Sequence, residues 1–127
     1  MSALVVDTSS WITYFSHTAP SLIDEALGEG RVYLSPVVVA ELTSGKMTSG
    51  QRTELESFLD DLPLCDSDFE HWVRVGRLRA QFFSKGLSVS TPDAHLAQCA
   101  IDLDADLLSE DRVFRQIAKQ TSLKLLT

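Results

Sequence analysis

Along the chain, short apolar runs alternate with longer stretches in which apolar positions recur every three or four residues. The runs are ALVV at 3–6, RVYL at 31–34, DLLS at 106–109 and LKLL at 123–126, with a weaker LSVS at 87–90. Each is short, apolar and bounded by turn-forming residues, which predicts strands. The stretches between them carry helix punctuation. Ser9 or Ser10 can cap a short helix bearing Trp11, Ile12 and Phe15. Pro20 and Ser21 open a helix with Leu22, Ile23, Ala26 and Leu27 on one face, and Gly28 and Gly30 end it. The run SPVVVAEL is β-branched enough for a strand, yet Ser35 followed by Pro36 is an N-cap with proline at the first helical position. That predicts a helix from 36 to about 43.

Leu55, Phe58, Leu59 and Leu62 fall at helical spacing and predict a helix over about 51–62, closed by Pro63. Ser67 and Glu70 form a capping-box pair. The helix they open runs through Phe69, Trp72, Val73, Gly76, Ala80 and Phe83 to Lys85, where Gly86 stops it. A short link joins these two helices, which predicts an antiparallel helical hairpin. Thr91 as N-cap and Pro92 as first residue open a further helix, buried along Leu96, Ala97, Ala100 and Ile101. Asp111 opens the last, along Val113, Phe114, Ile117 and Ala118. Strands alternating with helices define an α/β domain with a mainly parallel central sheet flanked by helices. The helical hairpin is an insertion in that alternation. A length of 127 residues suits one domain over 1–127 with a core of its own.

Composition narrows the classes. An apolar fraction of 44% with 23% charged residues excludes a disordered chain. No apolar run approaches the roughly 18 residues of a membrane span, and no basic and apolar leader opens the chain. Cys65 and Cys99 lack CxxC spacing, which suits two free buried thiols in a reducing cytoplasm. The net charge of −7 excludes nucleic-acid binding by bulk attraction. It leaves open an enzyme that reaches nucleic acid through bound cations, which reverse the local field.

The chemistry gathers at the ends of the strands. Asp7, Asp93 and Asp111 each follow a predicted strand, and Glu41 lies on the helix after 31–34. In a parallel sheet the carboxyl ends of the strands share one edge, where ligands bind. Any one of these acids has a plain explanation, since a carboxylate in a first helical turn is favoured by the helix dipole and Asp7 can simply cap. Four at one edge are costly: two charges about 4 Å apart repel by roughly 4 kcal/mol at an effective dielectric near 20. Protonation or a cation must neutralise them, and oxygen-only ligands select Mg²⁺ or Mn²⁺ over zinc. Such a site suits phosphoryl chemistry.

The segments VVDTSSWI, SPVVVAEL, STPDAHLAQCA and LLSEDRVF resemble, in order, the motifs of PIN-domain ribonucleases, specifically bacterial VapC-type toxins. The resemblance spans essentially the whole chain. It implies a PIN-like fold and a Mg²⁺- or Mn²⁺-dependent endoribonuclease, usually dimeric. It also implies inhibition by a small VapB-type antitoxin whose C-terminal tail enters the active-site groove. Asp7, Glu41, Asp93 and Asp111 match the acidic quartet, with Asp7 and Asp93 foremost as metal ligands and Asp111 beside them. Thr8 and Ser109 match hydroxyls that support the site. Many members carry a further acid two residues after the fourth. Here that position is Val113, and neighbouring Glu110 is expected to point elsewhere.

Arg112 and Arg115, beside Asp111, are the candidates for RNA phosphates; otherwise they form a solvated face with Lys119. Arg74, Arg77, Gln81 and Lys85 share another such face. His17, His71 and His95 have no paired metal spacing, and His95 stands roughly 200° around the helix from Asp93. They are expected at the surface or in packing, and Trp11 and Trp72 in core or dimer contacts. Among other functions, an aspartate-dependent phosphatase would need a second Asp where Ser9 stands. A receiver domain would need Asp60 or Asp61 at a strand end, and both lie on a helix. A catalytically inert binding module with the same fold is the alternative from a different class.

Overall fold

Leu4, Val5 and Val6 are all buried, and their strand is one of two at the centre of a four-stranded sheet. The computed structural model describes residues 2–126, so the first and last residues of the expected domain lie outside it. The order of elements is β1 (Leu4–Val6), α1 (Thr8–Ser16), α2 (Leu22–Gly28), β2 (Val32–Tyr33), α3 (Pro36–Thr43) and α4 (Ser49–Asp60). Then follow α5 (Phe69–Phe83), α6 (Thr91–Leu103), β3 (Asp106–Leu108), α7 (Arg112–Gln120) and β4 (Lys124–Leu126). All neighbouring strands are parallel, in the order β2-β1-β3-β4, with Leu4 opposite Val32, Val5 opposite Leu107 and Leu107 opposite Leu125. Strands covered on both faces read as continuous apolar runs, which is why LVV carries no alternation.

From β1 the chain turns outward to β2 on one side, and later returns to β3 on the other. The carboxyl ends of β1 and β3 therefore flank the point where strand order reverses, the crevice in which open α/β sheets bind ligands. Beyond β2, the edge is covered by residues 63–65. Leu34 donates its N–H to the Pro63 carbonyl (2.8 Å) and accepts from Cys65 N–H (2.7 Å).

Trp11, Phe82, Phe114, Leu107 and Ile117 are fully buried and fill the space between sheet and helices. The small side chains Ala94, Ala97 and Ala100 let α6 pack between α5 and the sheet, with every residue from Ala94 to Ala100 buried. The helical stretch inserted between α3 and α6 is present, but α5 packs chiefly on α6 and α4 rests against α3, rather than the two pairing mainly with each other.

Several boundaries differ from expectation for local reasons. Asp7, not Ser9 or Ser10, caps α1, its carboxylate accepting from Thr8 N–H (2.7 Å). Thr48 and Gln51 form a capping box, so α4 starts two residues before position 51 and ends at Asp60. Asp68, not Ser67, caps α5 by accepting from His71 N–H (2.9 Å). Ser90, not Thr91, caps α6. Residues 87–90 form no strand. The Val89 carbonyl takes its hydrogen bond from Arg79 Nε (2.9 Å), and Ser90 is committed to capping.

Candidate active site

Asp7, Glu41, Asp93 and Asp111 line one cavity of about 300 Å³ at the carboxyl edge of the sheet. Thr8, Ser9, Ile12, Ser35 and Leu96 complete much of its wall. Each acid arrives on a different element, and each element is fixed by a cap. Asp7 ends β1 and caps α1. Ser109, fully buried after β3, donates its hydroxyl to Asp7 Oδ2 (2.7 Å) and accepts from Asp111 N–H (3.1 Å). One hydroxyl thus ties the loops after β1 and β3 together. Asp111 caps α7 by accepting from Val113 N–H (3.2 Å). Asp93 stands in the first turn of α6, and its own N–H donates to Ser90 Oγ (3.2 Å). Glu41, on the second turn of α3, accepts from Thr8 Oγ1 (2.8 Å).

Asp7 caps a helix with one oxygen, has the other held by Ser109, and lines the cavity. Among the described residues, no Lys, Arg or His stands within ion-pairing distance of any of the four acids. The repulsion registers at Asp93. Burial raises its pKa above the usual carboxylate range, and the charges of Asp111, Asp7 and Glu41 raise it further. Four carboxylates with oxygen donors only and no protein counter-charge fit a hard divalent cation. Asp7, Asp93 and Asp111 are the acids on the cavity wall that would hold such an ion, with Glu41 beside them.

Arg112 and Arg115 are exposed on α7 and carry no ion pair among the described residues. Arg74 is committed elsewhere, donating to Asp102 (2.8 Å), and Lys85 donates to Gln120 (2.6 Å). Glu110 lines a separate cavity with Tyr14 and Leu22. Val113 is half-buried against the core, so the position after Arg112 supplies no fifth acid.

Two features were not legible from spacing. Ser35 caps α3 and also lines the acidic cavity. His71 and His95 are both fully buried and bonded to each other, whereas the surface was one of their two expected places. Burial, the larger cause, and the neighbouring His71 lower the His95 pKa to about 4. Trp11 is core, as expected, stacked on Phe15. Cys65 and Cys99 are free and buried.

Comparison with known proteins places the fold and the sequence together. The PIN domain family matches residues 4–120, and the chain belongs to that family. It is 27% identical over 128 residues to Ribonuclease VapC11 of Mycobacterium tuberculosis, covering 95% of this chain and 96% of that protein. Among solved structures, VapBC2 from Rickettsia felis bound to a promoter DNA fragment superposes with a TM-score of 0.78 at 22% identity, covering 98% of this chain and 97% of that one. DNA-bound VapBC from Salmonella typhimurium gives a TM-score of 0.78 at 22% identity, covering 99% and 98%. VapBC-5 from Mycobacterium tuberculosis gives 0.68 at 24% identity, covering 99% and 98%.

Proposed function

We propose that this protein is a divalent-metal-dependent endoribonuclease and the toxin of a toxin–antitoxin pair. The observation that carries the reading is the convergence of Asp7, Glu41, Asp93 and Asp111 on one cavity with no cationic side chain among them. Membership of the PIN family and likeness to a VapC ribonuclease supply the reaction class.

In this reading Asp7, Asp93 and Asp111 hold Mg²⁺ or Mn²⁺ through carboxylate oxygens. Such an ion, when bound, activates water and offsets charge developing on the phosphorus oxygens. The chain's own residues do the rest. Ser109 holds Asp7 in one orientation, so that its free lone pairs face the cavity. Thr8 does the same for Glu41, which would accept a proton from the attacking water. Arg112 and Arg115 contact RNA phosphates flanking the scissile bond, and position without reading sequence.

The partner in this reading is a VapB-type antitoxin, as in the VapBC complexes that share the fold. Ile12, 58% exposed at the cavity rim, offers such a tail an apolar contact. A homodimer would cover further exposed apolar side chains, such as Phe69, Leu64 and Phe83. The free thiols suit a reducing cytoplasm.

The test is cleavage of an unstructured RNA by the purified, antitoxin-free protein with Mn²⁺ or with EDTA. The expected result is turnover with Mn²⁺ only, reduced about a hundredfold or more in Asp93→Asn. Undiminished cleavage by Asp93→Asn would overturn the assignment. RNA binding without cleavage under all conditions would favour an inert binding module.

A further inference from the structure

Behind the acidic cavity runs a line of buried polar groups that the proposed reaction does not use. Ser35 Oγ lies 2.6 Å from His95 Nε2. His95 Nδ1 lies 2.7 Å from His71 Nε2, and His71 Nδ1 lies 3.4 Å from Asp102 Oδ2. Both histidines and Ser35 are fully buried, while Asp102 stands at the surface, held by Arg74 (2.8 Å) and Gln98 (2.8 Å). Burial alone would raise the Asp102 carboxyl, but the hydrogen bonds from Arg74, Gln98 and His71 outweigh it and hold it low, so this end is a carboxylate that only accepts.

The hydrogen-bond inventory fixes the direction. Ser35 Oγ has two lone pairs and already accepts from Val37 N–H (3.1 Å) and Val38 N–H (3.3 Å). Its single hydrogen must therefore go to His95 Nε2. His95 then carries its proton on Nδ1 and donates to His71 Nε2, and His71 donates from Nδ1 toward Asp102. The opposite direction would aim three donors at the Ser35 oxygen and leave its hydrogen unpaired in a dry interior, which is costly. The same inventory excludes proton delivery to the cavity, because Ser35 has no capacity left for a group there.

A metal held by the two rings and Cys99, whose Sγ lies 3.5 Å from His95 Nε2, is also disfavoured. Two nitrogens on one tetrahedral zinc at about 2.0–2.1 Å stand about 3.3 Å apart. The 2.7 Å seen here is a hydrogen-bond distance.

The line does connect two helices of the site. His95 is two residues beyond Asp93 on α6. Ser35 caps α3, whose second turn carries Glu41. Trp72 stacks on the His95 ring at 4.8 Å and 13°, which fixes the ring plane. We propose that His95 is a positioning residue that sets the spacing between the helices bearing Asp93 and Glu41, with His71 and Asp102 fixing its tautomer from behind. This rests on the reading of those two acids as part of a cation site.

Two measurements on the full chain test it. Histidine ¹⁵N spectra of the wild type should show His71 and His95 neutral and protonated on Nδ1; a proton on His95 Nε2 instead would overturn the chain. Mn²⁺ affinity is then compared in His71→Leu and His71→Gln. Neither touches the cavity. Leucine fills the space but accepts nothing, whereas the glutamine amide oxygen can still accept from His95. The expected result is about tenfold weaker Mn²⁺ binding in His71→Leu and near wild-type binding in His71→Gln. Equal affinities, or glutamine worse than leucine, would mean the pair only fills space. If His71→Leu does not fold, Asp102→Ala at the surface replaces it, with loss of the single His71 tautomer and about threefold weaker binding expected; unchanged spectra and affinity would overturn the proposal. Wild-type protein that binds no Mn²⁺ at all, with the tautomers as described, would bring down the function proposed above and this role with it, while leaving the hydrogen-bond chain intact.

Discussion

At the scale of single residues, Asp93 carries the strain of the site. Its pKa is raised first by burial and then by three neighbouring carboxylates. A folded-state pKa above the unfolded one means that the ionised group destabilises the fold at neutral pH, and that this penalty disappears as pH falls through the raised value. Asp93→Asn should therefore raise the thermal midpoint in EDTA, by about 2–5 °C. A midpoint that fell or stayed put would mean the four charges are not felt as a cluster. His95 works in the opposite sense. Its pKa of about 4 lies below the ordinary 6.5, so between those values the unfolded chain binds a proton that the folded chain refuses. Its contribution is complete above pH 6.5 and is lost as pH drops toward 4, a cost of about 3 kcal/mol. Thermal melts across that range should fall more steeply for wild type than for His95→Gln. Parallel curves would show that His95 takes up its proton without cost in the fold.

At the scale of elements, the caps do the positioning. Ser90 accepts from Asp93 N–H and so fixes the first turn of α6. Ser90→Ala should cost about 1 kcal/mol of stability and weaken Mn²⁺ binding as the turn frays. A loss of stability with unchanged Mn²⁺ affinity would separate the cap from the site. Caps also mark what could be read without a structure. Ser35 with Pro36 overruled the β-branched run and located α3 from Pro36 to Thr43. Asp7 and Asp111 located the cavity because parallel topology brings the ends of β1 and β3 to one edge, and Glu41 follows β2 on α3. Asp93 joins them from α6 although the strand expected before it does not form. Where several cap-competent residues were adjacent, the register slipped by one, as at Ser67 and Asp68 or Ser90 and Thr91. The choice between such neighbours is made by tertiary packing. LSVS failed as a strand for a similar reason, since its Val89 carbonyl is claimed by Arg79 from another helix. The histidine line was illegible because its partners lie on α3, α5 and α6, and helical spacing describes one helix at a time.

At the scale of the whole molecule, the proposed function asks an acidic chain to meet a polyanion. With a net charge of −7 and four acids at the groove, RNA would be repelled before it is bound. On the proposed function a divalent ion would change both the fold energetics and the encounter. It would bind only the folded arrangement, because Asp7, Glu41, Asp93 and Asp111 lie far apart in the unfolded chain. Millimolar Mn²⁺ at about a hundred times its dissociation constant should therefore add about 2.7 kcal/mol of stability. For a chain of this size that is an upward shift of about 5–15 °C in wild type. Asp7→Asn and Asp93→Asn should each lose most of the shift, although Asp93→Asn starts from a higher metal-free midpoint. That crossing distinguishes a cation site from ordinary capping, which predicts lower stability in the variants with and without metal. Asn at position 7 keeps the cap, but its amide NH₂ cannot accept from the Ser109 hydroxyl, so this variant should start lower and also fail to respond. The two variants thus approach the same metal-insensitive behaviour from opposite sides of the wild type. A Mn²⁺ shift of equal size in all three proteins would place the ion somewhere other than these carboxylates.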